Sequence, residues 1–441
     1  MSTAAPRPTG QDRLWSVDEH LEDILATVRP LEPIELQLPD AQGCVLVDDV
    51  TVPVSLPPFD NSSMDGYAVR VADVAGASEE FPAALEVVGD VAAGQAADLL
   101  YVGPGQTARI MTGAPLPNGA EAVVPVEWTD GGLGEGPVSA MRARSLAPEQ
   151  ATGHVRVYRP AGARAHVRAK GSDVKAGDRA LEAGTVLGPP QIALLAAIGR
   201  GTVRVHPRPR VVVMSTGSEL VQPGEELSAG QIYDSNSFAL TAAARDAGAI
   251  AYRVGAVTDD AETLRSTIED QLVRADLLVT TGGVSVGAYD VVKEALSYVG
   301  DEDEAGSGID FRKLAMQPGK PQGFGSIGPD HIPLLALPGN PVSSYVSFEL
   351  FVRPAIRTLM GLKNVHRPTT RARLTADKAL TSPKGRRQFL RATHSDGTVR
   401  PVGGAGSHLV AALAHADALI VVPEDVESVE PGTDVEVVLL G

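Results

Sequence analysis

The apolar positions of this chain change period several times, and the changes divide it into units. Residues 15–28 (WSVDEHLEDILATV) carry apolar side chains at helical spacing, with Ser16 placed to cap the helix. Residues 33–54 then alternate as strands do, most clearly in VLVDDVTVPV. Between residues 85 and 128 the apolar runs are short and broken by Gly and Pro, which predicts a small β-rich unit. Pro190, followed by apolar helix formers and closed by Gly199, predicts a capped helix. The segment HPRPR at 206–210 reads as a rigid linker, after which a new unit starts.

Beyond the linker, strand and helix patterns alternate. Strands are expected at 211–214, 250–257, 277–281, 313–316, 323–327 and 334–337, and helices at 238–246, 261–273 and 343–360. This rhythm predicts a doubly wound α/β sheet whose ligand site lies off the carboxyl ends of the strands. Its best-marked stretch is DLLVTTGGVSVGAYDVVK at 276–293: a doubly buried strand, the turn Gly282-Gly283, and a helix starting near Asp290. Converging amides and the helix dipole make such a turn a ready anion site. Two glycines also serve an ordinary tight corner. Residues 368–441 show β segments at 370–374, 388–393, 418–422 and 435–440, with a turn at Ser395-Asp396-Gly397, and predict a small β-barrel. The expected boundaries are a mixed unit of residues 1–50 plus 165–205, a β-rich unit of 51–164, an α/β unit of 206–362 and a barrel of 363–441.

Composition narrows the chemistry. Of 441 residues 43% are apolar but only 4% aromatic, so the cores must be built from Val, Leu and Ala. The single cysteine, Cys44, excludes a disulfide framework and fits a reducing compartment. The nine histidines never fall in HExxH or CxxC-type spacing, which argues against zinc. There is no 18-residue apolar run, and MSTAAPRPTGQDR lacks a signal-peptide core, so a cytoplasmic protein with no membrane span is expected. The net charge of −17 argues against nucleic-acid binding. An anionic substrate would need a metal ion or local Lys and Arg to reverse that field.

Glu219, Asp259, Asp290, Lys313 and Lys320 all fall at predicted strand ends. Glu219 and Asp259 could each be helix caps. Together the acids and lysines ring one crevice, which suits Mg²⁺ with phosphate oxygens. No Walker GxxxxGK[ST] and no GxGxxG after a strand is present, which disfavours a P-loop enzyme or a dehydrogenase. In PPFDNSSMDGYAVR at 57–70, Asp65-Gly66 is a hairpin-turn pair, and Asp65 reads first as a turn residue. Thr112, in RIMTGA, can satisfy its own turn; Asp173 sits in the Gly-flanked turn GSDVKAGD. Lys384, Arg386, Arg387 and Arg391 read first as a solvated basic edge and second as an anion contact. Residues 130–154 look like an exposed excursion.

Eight segments in fixed order carry a resemblance that spans most of the chain: NSSMDGYA (61–68), RIMTGAPLP (109–117), STGSEL (215–220), IYDSN (232–236), TTGGVSVGAYD (280–290), KLAMQPGKP (313–321), LPGNPVSS (337–344) and GSH (406–408). The chain resembles the molybdopterin molybdenumtransferases of the MoeA type, related to the E domain of gephyrin. The resemblance implies a homodimer of four-domain subunits that inserts molybdate into adenylylated molybdopterin with Mg²⁺, releasing AMP. Position by position it implies functional roles for Asp65, Thr112, Asp173, Glu219, Asp259, Asp290 and Lys313, with Glu219, Asp259 and Asp290 as the metal acids. Gly282, Gly283, Ser285, Lys320, Pro338, Pro341 and Ser407 would bind substrate. A transient contact with molybdopterin adenylyltransferase is a further expectation. Some members have lysine where this chain has Gln317, which removes one positive charge. Three other readings are a molybdopterin adenylyltransferase, a nucleotide hydrolase sharing the α/β unit, and a gephyrin-like scaffold. The first would not need residues 51–165 or 368–441, and the second lacks the MDGYA segment. The third predicts linker and interaction segments that this chain does not show.

Overall fold

The computed structural model of the chain describes residues 14–96, 100–134, 136–141, 153–258, 260–283, 292, 295 and 308–441. Its largest sheet runs in the order Leu14–Trp15, Gly308–Leu314, Pro321–Ile327, Ile332–Leu337, Leu277–Thr281, Arg210–Thr216 and Ile250–Val257. The last four strands are parallel, and Leu277–Thr281 lies between two of them with every residue buried, which is why its sequence is an unbroken apolar and β-branched run. Alternate residues of Arg210–Thr216 face opposite sides. Val211 and Val213 pack with Leu240, Ala244, Val346 and Phe351, while Val212 and Met214 pack with Leu264 and Ile268. Helices therefore cover both faces, as the strand–helix rhythm predicts. One strand differs: Pro321–Ile327 runs antiparallel to both of its neighbours, Gly308–Leu314 and Ile332–Leu337. Their connections are too short for crossover helices, so the chain must reverse at each.

The helix Val17–Thr27 forms where expected. Ser16 Oγ accepts from the Glu19 amide at 3.0 Å and Glu19 Oε2 accepts from the Ser16 amide at 2.9 Å, a complete capping box. Its partners differ from the boundary drawn above. Val17, Ile24 and Val28 are buried in the same cluster as Leu277 and Val279, and Leu14–Trp15 adds a parallel strand beside Lys313–Leu314. Residues 14–28 thus pack against the α/β unit. The mixed unit proper is the sheet Ile34–Gln37, Thr202–His206 and Val45–Leu46, with the helix Pro189–Ala197 contributing Leu195 to its core. His206 ends a strand, so the linker shortens to residues 207–209.

The β-rich unit is a five-stranded sheet in the order His154–Val157, Ala83–Val91, Gln106–Ile110, Gly66–Val69 and Ala122–Pro125. Asp65-Gly66 is not a hairpin turn here. Gly66 opens a central strand, and a Cβ on it would lie 2.0 Å from the Val124 carbonyl oxygen, so the glycine answers a close backbone approach. In the C-terminal unit Arg387–Ser395 pairs with both Thr398–Pro401 and Ala418–Val422. Thr369–Leu374 and Asp434–Leu439 complete a closed five-stranded barrel. Asp396 and Gly397, at φ 48° and 72°, make its tight turn in the left-handed region that such a hairpin demands. The short strand Met316–Gln317 pairs in parallel with Arg387 and Gln388, joining the α/β unit to the barrel.

Candidate active site

The parallel strands Arg210–Thr216, Leu277–Thr281 and Ile332–Leu337 end at one edge, where a cleft of about 650 Å³ opens. Thr216 and Glu219 line it from the first strand end, Gly282 and Gly283 from the second, and Pro338 and Pro341 from the third. Both glycines are required. Gly282 has φ 103° and a Cβ there would stand 2.4 Å from the Thr216 carbonyl oxygen; Gly283 has φ 60° and its Cβ would meet Val292 at 2.5 Å. Thr281 holds the opposite turn, donating its hydroxyl to the Pro338 carbonyl at 3.0 Å. Pro341 then opens a helix at its first position, where a missing amide costs nothing.

Two acids face this cleft, and they differ in kind. Glu219 is exposed, and no hydrogen bond or ion pair ties its carboxylate to the described residues. It caps no helix; Asp260 does that for Ala261–Leu272, accepting from the Thr263 amide at 2.8 Å. Asp234 is 1% exposed and fully engaged, accepting from Ser215 Oγ at 2.8 Å and from the Ser237 amide at 3.1 Å, with Arg253 at 3.8 Å. The barrel closes one side of the cleft through His408. Its loop is held there because the Ser407 carbonyl accepts from the Val342 amide at 3.0 Å, and because buried Arg391 donates to the carbonyls of Gly404 and Gly406. Burial also lowers the Arg391 pKa from its ordinary value.

The remaining expected residues are spread more widely. The hairpin bearing Lys313 and Lys320 reaches the cleft through Pro321; Lys313 stands opposite Pro321, and the Lys320 carbonyl accepts from the Leu314 amide at 2.7 Å. Asp65 and Thr112 meet each other in the β-rich unit, apart from the cleft lining. Asp173 is exposed in its turn, its amide bonded to the Leu56 carbonyl at 3.0 Å. Asp259, Ser285 and Asp290 lie outside the described residues. The basic cluster is dispersed: Arg387 forks Asp18 at 2.8 Å on both oxygens, and Lys384 lies 3.4 Å from Glu427.

Over 426 residues, covering 96% of this chain and 98% of the relative, the sequence is 46% identical to molybdopterin molybdenumtransferase 2 of Mycobacterium tuberculosis. The chain belongs to the molybdopterin molybdenumtransferase family. The match is collinear: residues 15–199 fit the MoeA N-terminal region (domain I and II), 212–358 the "Probable molybdopterin binding domain", and 373–440 the MoeA C-terminal region (domain IV). The molybdopterin molybdenumtransferase of Bacillus subtilis is 34% identical, with 96% of this chain and 94% of that one covered. A crystal structure of a molybdopterin biosynthesis MoeA protein from Pyrococcus horikosii superposes with a TM-score of 0.74 at 32% identity, covering 97% of this chain and all of that one. This molybdenumtransferase is thus a transferase of molybdenum cofactor biosynthesis, and its cleft lies within residues matched by the molybdopterin-binding region apart from His408.

Within the family's motifs, some cleft residues were not singled out from sequence. Asp234 and Asn236 belong to IYDSN, which entered only as one of the segments that carry the resemblance, and His408 follows Ser407 in GSH. Periodicity marks an element's start but not which of its polar side chains turns inward. Among the described residues no group of three or more His, Cys, Asp or Glu could hold a metal ion. Glu219 still offers an exposed carboxylate of the kind Mg²⁺ takes, and that ion commonly binds through one or two carboxylates plus phosphate oxygens and water.

Proposed function

We propose that this transferase inserts molybdenum from molybdate into adenylylated molybdopterin with the help of Mg²⁺, releasing AMP. The observation that carries this reading is the juxtaposition of two left-handed glycines, Gly282 and Gly283, with the Glu219 carboxylate, which has no partner among the described residues, in one cleft. Bare backbone admits anionic oxygens closely, while the carboxylate favours the divalent ion that offsets their charge. In this reading Glu219, with Asp259 and Asp290, holds Mg²⁺, which when bound would neutralise the pyrophosphate and polarise it for cleavage. Lys313, Lys320 and Ser407 hold anionic oxygens, and Pro338 and Pro341 shape the facing turn. Sulfur ligands for molybdenum come from the pterin dithiolene, since Cys44 is buried in the core of the mixed unit.

The same reading makes the protein a cytoplasmic homodimer in which Asp65, Thr112 and Asp173 of one subunit face the cleft of the other. It also calls for a transient contact with the adenylyltransferase that supplies the substrate. Among the described residues no helix is long and apolar enough to cross a membrane. The test is reconstitution of an apo-molybdoenzyme with adenylylated molybdopterin, molybdate, Mg²⁺ and this protein, with AMP measured in parallel. Active enzyme and molybdate-dependent AMP above the protein-free control are expected. An adenylyltransferase would instead consume ATP and molybdopterin without molybdate, and a scaffold would release no AMP.

A further inference from the structure

We propose that Asp234 and Asn236 are positioning residues that fix the spacing of the cleft's walls and thereby set affinity for its ligand. The inference rests on the reading above that the ligand binds in this cleft.

Asp234 looks like a metal ligand by type and place, but its bonds exclude that role. A carboxylate offers about four lone-pair sites. Oδ1 accepts from Ser215 Oγ at 2.8 Å and the Ser237 amide at 3.1 Å; Oδ2 accepts from Ser237 Oγ and faces Arg253 at 3.8 Å. These contacts come from three elements. Ser215 is near the end of Arg210–Thr216, Ser237 is in the first turn of the helix Asn236–Asp246, and Arg253 is on Ile250–Val257. The helix needs this anchor, because its N-cap residue Ser235 makes no side-chain cap bond. Arg253 is held in turn over the Phe238 ring at 4.1 Å.

Asn236 carries the brace across the cleft floor. Its Nδ2 donates to Thr281 Oγ1 at 3.1 Å and to the Gly339 carbonyl at 2.7 Å, which uses both amide hydrogens. Thr281 immediately precedes Gly282, and a Cβ on Gly339 would stand 3.4 Å from Gly282 Cα. One side-chain amide therefore ties the glycine turn to the facing 338–341 turn. Loosening it should let the walls separate, which weakens ligand binding without removing a reacting group.

The test uses the full chain with Asn236→Ala and Asn236→Asp, read by KM and kcat for adenylylated molybdopterin and by amide hydrogen exchange over 337–344 in the ligand-free protein. For Asn236→Ala, KM should rise about tenfold with kcat within about twofold, the scale of losing two partly exposed hydrogen bonds. Exchange over 337–344 should quicken by a similar factor. Asn236→Asp, which puts an acceptor against the Gly339 carbonyl, should exceed both effects. Faster exchange with unchanged KM would reduce the brace to a structural bond and overturn the proposal, as would unchanged exchange. If Asn236→Ala fails to fold, Asn236→Ser, whose short hydroxyl cannot reach both Thr281 and Gly339, is judged by the same two readouts. Absence of turnover by the wild type would refute the functional reading; the exchange measurement needs no substrate and still judges whether Asn236 holds the turn.

Discussion

Thr112 gives two hydrogen bonds to one oxygen of Asp65: its amide reaches Oδ1 at 2.7 Å and its hydroxyl reaches the same atom at 2.8 Å. Both residues are exposed, and they come from separate loops of the β-rich unit. The pair orients a carboxylate whose Oδ2 accepts from no other described residue. Thr112→Ala removes one of the two donors and should lower kcat/KM in the reconstitution about three- to tenfold, while Thr112→Ser should keep most of it. Because the two side chains touch, Asp65→Asn and Thr112→Ala should combine less than additively, with a coupling of about 1 kcal/mol or more in a double-mutant cycle. Strict additivity would show that the contact plays no part in activity.

The proposed homodimer, with the β-rich unit of one subunit at the cleft of the other, predicts complementation. Asp65→Asn and Glu219→Gln subunits, each inactive alone, are expected to recover activity when mixed and exchanged. Random pairing puts one intact site in about half the dimers, so recovery should reach roughly a quarter of wild-type sites. Native mass spectrometry of differently tagged chains verifies the exchange. Mixed dimers without activity would mean that each site is built within a single chain.

Gly282→Ala places a Cβ 2.4 Å from the Thr216 carbonyl oxygen at φ 103°. Strain of this kind costs of order 1–3 kcal/mol. A fall in melting temperature should accompany loss of ligand affinity. An alanine variant that melts and binds as wild type does would show that the turn relaxes freely.

His20 predicts how stability depends on pH. It is 1% exposed between Phe324 and Phe351, and burial, with the nearby Arg312 charge second, lowers its pKa to about 3 from 6.5. Below pH 6.5 the unfolded chain binds a proton that the folded chain refuses, so stability should fall as pH drops through the window from 6.5 towards 3. The slope contributed by this residue is at most about 1.4 kcal/mol per pH unit. Asp18 acts lower down. Its pKa is depressed by the Arg387 hydrogen bond, so its contribution is present above 3.8 and is lost only below that value. Thermal melts of His20→Gln between about pH 4.5 and 7 should therefore be flatter than those of wild type. Parallel curves would contradict the assignment.

Much of this was legible in the chain, and what was not shares one cause. Local signals are readable: Ser16 announces a helix start, Ser395-Asp396-Gly397 a barrel turn, and the run at 277–281 a buried strand. Signals that depend on distant partners are not. Nothing in WSVDEHLEDILATV says that it docks beside Leu277 rather than on the strands that follow it. Gly66 looked like a turn glycine because the Val124 carbonyl that requires it is far away in sequence. Strand direction at 308–327 was equally hidden, since residue pattern fixes which side chains are buried but not which way the neighbour runs. In the cleft, Glu219 and the two glycines were found because strand ends are readable. Asp234 was not, because inward and outward polar residues of a short polar stretch look alike.

Met316–Gln317 runs against the barrel's Arg387 and Gln388, Asp18 is forked by Arg387, and the Ser407 carbonyl takes the Val342 amide. Two of these attachments share Arg387 and the third is in the 404–408 loop, so a swivel about one anchor strains the other. The barrel is then a fixed jaw, not a door. At the rim of the cleft Ile232 and Tyr233, 55% and 43% exposed, form an apolar sill beside Glu219. A bulky group on that sill would slow entry and exit alike, leaving the equilibrium affinity nearly unchanged while stretching both the on-time and the off-time.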